Sequence, residues 1–227
     1  MDEKVNPELS RLFKNQALLT HALTHRSWVN EHKDAIGSNE RLEFLGDAIL
    51  EFIVSKYLYN KFPDKEEGFL TALRANLVNT TNLAQVARKL NLGSVLLLSK
   101  GEEQGGGREN DSLLADTTEA VIGALFLDQG LEKTENFIIK ILMSDLSERL
   151  AKPLKDPKSR LQELVQSKGF SIPVYQLVSE TGPDHDKKFV MEVKVNRETL
   201  AKGKGKSKNQ AEQDAAEKAL VSFEAKD

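Results

Sequence analysis

The chain of 227 residues has no cysteine. That absence removes a disulfide-stapled scaffold, a thiolate metal site and a cysteine nucleophile at once. Long apolar runs are missing too: none approaches the roughly 20 residues of a membrane span, and the opening MDEKVNPELS lacks the apolar core of a signal peptide. A soluble, cytoplasmic protein with no membrane partner is the expectation. No fixed-period repeat is visible, and the glycine-rich stretches lack the strand-to-helix setting of a nucleotide loop.

What is present is an ordinary globular composition, 39% hydrophobic and 30% charged, rather than a disordered one. The net charge of −3 conceals an asymmetry. Residues 1–151 hold 17 Lys and Arg against 23 Asp and Glu, whereas residues 152–227 hold 15 against 12. Two regions with different electrostatic tasks are implied. In the basic region Lys202, Lys204, Lys206 and Lys208 alternate through KGKGKSK.

Apolar residues recur at three- and four-residue spacing in 42–61, 70–90 and 113–127, which predicts an all-helical N-terminal domain. Its breaks fall at Phe62-Pro63-Asp64, at Leu92-Gly93 and in a loop from Gly101 to Asp111. After residue 151 the stretch 152–157 reads as a linker, with Pro153 and Pro157 bracketing charges. The period then changes. A helix over about 159–167, strands in VYQLVSE, KFVMEVKVN and ETLAKGKG, and a helix over 207–223 give a small α+β domain, 158–227, in α-β-β-β-α order. Both helices are expected on one face of the sheet, with a lysine-rich turn before the last helix.

Chemistry concentrates in two segments. In NERLEFLGDAIL, Glu40, Glu43 and Asp47 share a helical arc of roughly 60°, opposite a core stripe of Leu42, Leu45, Ile49, Phe52 and Ile53. In LLADTTEAVIGALFLD, Asp116 and Glu119 share a face of a helix that is otherwise apolar nearly all round and therefore buried. Buried carboxylates need a cation of some kind. Gly123 lies on the same side and leaves room for a second helix, so a crossing there makes Glu43, Asp47, Asp116 and Glu119 a hard, all-oxygen site suited to Mg²⁺. The plain alternatives are a solvated face for the first three carboxylates, and a helix cap or an ion pair with Arg41 or Arg74 for Asp116 and Glu119. His21 and His25, amid Leu18, Leu19, Ala22 and Leu23, read as packed or hydrogen-bonded and carry no chemistry.

At these residues the chain resembles bacterial ribonuclease III. NERLEFLGDAIL and LLADTTEAVIGALFLDQG are similar to that family's two acidic blocks, and THRSW, EEGFLTALRANLVN and GEEQGGG fall in its order and spacing. The resemblance implies an endonuclease domain with Glu43, Asp47, Asp116 and Glu119 as metal ligands, Asp47 and Glu119 as catalytic positions, and Glu40 and Glu67 as assisting acidic positions. Glu109 and Asn110 stand where basic residues are common. DPKSRLQEL, PVYQLVSETGPDHDKKFVMEV and GKGKSKNQAEQDAAEKAL are similar to a double-stranded RNA-binding domain. By that likeness Gln162 and Glu163 face one minor groove, Pro183, Asp184 and His185 the next, and Lys206 and Lys208 meet phosphates, with Asn209 in place of a usual second lysine. A solvated lysine turn is the alternative for the last group.

The expectation is then a Mg²⁺-dependent endoribonuclease, with Mn²⁺ as a substitute and no small-molecule cofactor. It would cut double-stranded RNA in precursors such as ribosomal and messenger RNA, leaving 5′-phosphate and 3′-hydroxyl ends. The resemblance also implies a homodimer. Phe44 supports it independently, sitting beside the carboxylate arc and off the core stripe, although burial within its own subunit fits the same pattern. The rival classes are a non-catalytic duplex-RNA-binding protein on the same fold and a metal enzyme of small phosphorylated substrates. Retention of all four carboxylates speaks against the first, and the C-terminal domain against the second.

Overall fold

The computed structural model describes residues 7–144, 146–150, 154–183 and 186–224. Asp184 and His185 lie outside them. The chain divides into two compact units, Met1–Lys152 and Pro153–Asp227.

The first unit is helical throughout: α1 (Pro7–Leu12), α2 (Gln16–Ala22), α3 (Arg26–Glu31), α4 (Glu40–Lys61), α5 (Glu67–Val78), α6 (Thr80–Lys89), α7 (Leu92–Val95), α8 (Lys100–Gln104), a 3₁₀ turn at Gly107–Glu109, α9 (Asp111–Leu142) and α10 (Leu146–Leu150). Its centre is the pair α4 and α9, with α6 against α9. Leu50, Ile53 and Val54 from one helix and Leu114, Val121, Ile122 and Leu125 from the other are almost wholly buried. Each contributes about 1.5–3 kcal/mol of burial.

Three local expectations need correction. The periodic run 70–90 is two helices, because Asn79 is extended (φ −69°, ψ 158°) and turns its side chain to accept the Asn82 N–H at 2.9 Å, capping α6. The glycine-rich loop is partly helical. Ser99 caps α8, and the Arg108 guanidinium donates to the carbonyls of Gly93 at 2.7 Å and Leu96 at 3.0 Å. Phe52, expected in the core stripe of α4, is 55% exposed and lines a groove of about 340 Å³ with Tyr59, Glu67, Leu70 and Arg74.

Helix α9 is broken at Gly130, whose φ of 76° with ψ −177° only glycine adopts readily. Two residues earlier, Asp128 accepts the backbone N–H groups of Lys14 at 2.6 Å and Asn15 at 3.0 Å. The Asn15 side chain in turn caps α2.

The second unit follows the expected order: α11 (Pro157–Ser167), β1 (Val174–Thr181), β2 (Lys188–Val195), β3 (Glu198–Gly205) and α12 (Lys208–Glu224). The antiparallel sheet runs β1-β2-β3. Alternation in β2 sends Met191, Val193 and Val195 inward, where Val193 and Val195 meet Leu161 and Val165 of α11 and Ala215, Ala216, Ala219 and Leu220 of α12. Pro157, expected in the linker, is the first residue of α11, because Asp156 accepts the N–H groups of Lys158 and Ser159 and so starts the helix. Lys202 and Lys204 lie on β3, as the strand expected in ETLAKGKG has them, and Gly203 and Gly205 lie beneath α12. A Cβ on Gly203 would sit 2.1 Å from the Ala215 nitrogen. Among the described residues no helix is long and apolar enough to cross a membrane.

Candidate active site

The site begins where α4 crosses α9. A Cβ on Gly46 would lie 1.8 Å from the Glu119 carbonyl oxygen, and one on Gly123 would lie 2.2 Å from the Leu42 carbonyl oxygen. Two glycines thus let the backbones touch. That contact sets Glu43, one turn before Gly46, against Asp116 and Glu119, and one oxygen from each of the three carboxylates lies within 4.8 Å of the others. Three carboxylate oxygens this close are a donor set that would hold a hard divalent cation such as Mg²⁺.

Among the described residues, Glu43, Asp116 and Glu119 have no ion-pair partner. The cap of α9 is Asn110, and Arg74 pairs with Glu51 instead, so neither plain alternative for Asp116 and Glu119 holds. The electrostatic result is unfavourable for three free charges. Burial and then the charges of Asp47, Asp116, Glu43 and Glu51 push Glu119 up to about 8. Burial, then Asp116, Glu40 and Asp47, raises Glu43. Burial also raises Asp116, against the opposing charge of His25. A hard divalent cation is the partner this donor set fits.

The remaining predicted residues are placed differently. Asp47 is exposed and outside the trio, one turn beyond Glu43 on the solvent side of the crossing. Its charge nevertheless acts on Glu119 more than that of any other carboxylate. Glu40 is exposed, paired with Arg26 at 3.3 Å and accepting from Ser38 Oγ at 2.7 Å. Glu67 begins α5, accepts from Thr71 Oγ1 at 2.7 Å and lines the separate groove. Phe44 is 80% exposed, which excludes burial within its own subunit.

Sequence reasoning missed two contributors. His25 faces the cluster closely enough to oppose the rise of Asp116 while its Nδ1 accepts the Ser27 N–H at 3.2 Å. Glu51 continues the stripe of Glu43 and Asp47 by one more turn, a four-residue spacing visible in the sequence.

In the second unit Gln162 and Glu163 are exposed on α11, with Glu163 paired to Lys155. Pro183 is exposed; Asp184 and His185 fall outside the described residues. Lys206 and Lys208 are exposed at the entry to α12, where Ser207 Oγ accepts the Gln210 N–H at 3.2 Å. Asn209 is exposed beside them.

A helical unit with a half-buried carboxylate trio, followed by an α-β-β-β-α unit with an exposed lysine end, fits a two-part hydrolase of structured nucleic acid. Comparison gives the particular family. Residues 15–146 match the Ribonuclease-III-like family and residues 157–221 the double-stranded RNA binding motif. The chain is 48% identical to Ribonuclease 3 of Natranaerobius thermophilus over 90% of its own length and 89% of that protein. It is 47% identical to Ribonuclease 3 of Caldanaerobacter subterraneus subsp. tengcongensis over 97% and 95%. The solved nuclease domain of ribonuclease III from Campylobacter jejuni is similar at 43% identity and a TM-score of 0.58, covering 64% of this chain and 98% of that one. The chain belongs to the ribonuclease III family, the endoribonucleases of double-stranded RNA.

Proposed function

We propose that the chain hydrolyses double-stranded RNA with Mg²⁺ held by Glu43, Asp47, Asp116 and Glu119, leaving 5′-phosphate and 3′-hydroxyl ends. The single observation that carries this reading is the trio of half-buried carboxylates at the glycine crossing, without a cation partner among the described residues. Bound there, Mg²⁺, or Mn²⁺ in its place, supplies Lewis acidity for attack of water on phosphorus.

The residues divide the work. Glu43 and Asp116 offer oxygens from facing helices. Glu119, raised to about 8 without a cation, would hold one as the carboxylate. Asp47 reaches in from the solvent edge, and Asp47 and Glu119 stand at the reacting centre. Glu40 and Glu67 assist from outside the trio. Residues 1–151 carry hydrolysis and residues 158–227 hold the duplex, joined through 152–157. Gln162 and Glu163 read one minor groove, Pro183, Asp184 and His185 the next, and Lys206 and Lys208 the phosphates.

A second copy completes the enzyme. Phe44 lies exposed beside the carboxylates, and Phe52 (55% exposed) and Tyr59 (72% exposed) follow on α4, an apolar stripe that a partner subunit covers. The Campylobacter jejuni structure is described as containing a region involved in dimer formation. Processing of ribosomal and messenger RNA precursors in the cytoplasm is the biological setting.

The test is incubation of a long RNA duplex with and without Mg²⁺, with the ends of the products identified. Cleavage that needs Mg²⁺ and leaves 5′-phosphates is expected. Equal cleavage in a chelator overturns the assignment.

A further inference from the structure

Helix α4 carries four carboxylates in register, Glu40, Glu43, Asp47 and Glu51, and the structure treats the inner and outer pairs differently. The outer two are tied to arginines from neighbouring helices: Arg26 Nη1 stands 3.3 Å from Glu40, and Arg74 Nε 2.8 Å from Glu51. The inner two have no such partner among the described residues. The tie at Glu51 is the firmer one, because Arg74 Nη1 also donates to Ser55 Oγ at 2.8 Å, and that hydroxyl donates to the Glu51 carbonyl at 2.6 Å. Arg74 is thereby fixed across α4 from α5 at two points.

Such a pair, more than a third exposed on both sides, adds little to stability. Its position says more. Glu51 lies one and two helical turns from Asp47 and Glu43, about 6 to 12 Å along the axis. Its charge also bears on Glu119.

We infer that Arg74 is a positioning residue for the metal centre: by holding Glu51 it closes the carboxylate ladder at one end and sets the net charge that the cation and the RNA phosphates meet. This rests on the reading of Glu43, Asp47, Asp116 and Glu119 as the metal site. Without Arg74, Glu51 becomes an uncompensated fifth carboxylate that strengthens cation binding and repels the duplex.

The experiment measures binding of Mn²⁺ alone to the full chain at low ionic strength, from the free-ion paramagnetic resonance signal. It uses wild type, Arg74→Met, Glu51→Gln and the double variant. One charge acting on a divalent ion over that distance in water changes affinity roughly three- to tenfold. Arg74→Met is expected to tighten Mn²⁺ by that factor and to raise KM for duplex RNA, and Glu51→Gln alone to weaken Mn²⁺ by a similar factor. The double variant returns both quantities to within about twofold of wild type, since the charge is restored. Opposite signs in the single variants and recovery in the double distinguish charge from packing. Shifts of the same sign, or a double variant as impaired as Arg74→Met, overturn the inference while leaving the metal site standing. A wild type that binds no Mn²⁺ removes both.

Discussion

The carboxylates at the α4–α9 crossing and those of the second unit are treated in opposite ways. In the first, Glu43, Asp116 and Glu119 are all raised, with burial the leading cause and neighbouring carboxylates adding to it at Glu43 and Glu119. In the second, Glu192 and Asp214 are lowered, first by hydrogen bonds from Lys194 and Lys218. Asp156 is desolvated, yet the hydrogen bonds from Ser159 and Gln213 outweigh that and lower it too. The second unit spends its carboxylates on caps and ion pairs that define its fold. The first holds three without an ion-pair partner among the described residues, at a cost to its own stability, and that imbalance is what a ligand can relieve.

The comparison can be broken most severely at the crossing. Gly46→Ala places a methyl group inside van der Waals contact of the Glu119 backbone, and it is expected to destabilise the first unit by about 3 kcal/mol or more and abolish cleavage. Thermal melting and duplex cleavage check this; a variant that melts and cuts like wild type refutes the close approach.

Glu119→Gln and Asp116→Asn should lose cleavage by at least about 10³-fold while still binding duplex RNA. Glu119→Gln should also gain stability in metal-free solution. The folded chain keeps a proton on Glu119 to about pH 8, whereas the unfolded chain releases it near 4.5. Metal-free wild type therefore loses stability as pH rises from about 4.5 to 8, and the variant, left with only the raised Glu43 and Asp116, loses less. After discounting for the exposed part of the group the difference is on the order of 1 kcal/mol, a shift of about 2–4 °C. Melting at pH 5 and pH 8 reads it, and equal slopes for both proteins count against the raised carboxylate.

The lowered acids of the second unit should behave in reverse. Their contribution is present above the unfolded carboxylate range and is lost as pH falls through the lower folded values. On the same unit, Lys206→Ala with Lys208→Ala should weaken duplex binding alike for unrelated sequences and reduce the log–log salt slope by about two units. Titration over a range of salt concentrations is the measurement, and an unchanged slope sinks the phosphate assignment. The smallest effect on the fold is expected from Phe44→Ala, within about 0.5 kcal/mol because the ring is exposed. Self-association should fall all the same, as read by sedimentation at several concentrations. A variant that remains dimeric removes Phe44 from the interface.

These contrasts were unequally legible in the sequence. Helical period and the face shared by Asp116 and Glu119 revealed the buried carboxylates, and Gly123 revealed the crossing. Gly46 is not legible there, because a lone helical glycine has no signature until its partner helix is known. The break at Asn79 was hidden for a related reason: two amphipathic helices meeting at a corner keep three- and four-residue spacing across the join. Phe52 looks like core because it sits on an apolar arc, yet it lies at the edge of that arc: Ile53, Val54 and Leu58 are buried while Phe52 is exposed. In KGKGKSK the lysines drew attention. The glycines beneath α12 follow from packing, which a one-dimensional pattern does not contain. Arg74 and Glu51, 23 positions apart, share no local signal at all.

The bond from Asp128 to the N–H groups of Lys14 and Asn15 spans 114 and 113 positions. Closure over such a distance comes late in folding, since the entropy of the loop must be overcome before the contact forms. During synthesis at about 5–20 residues per second, the α2 end waits several seconds for its anchor to be made. Over that interval α2 is without the bond that ties it to α9.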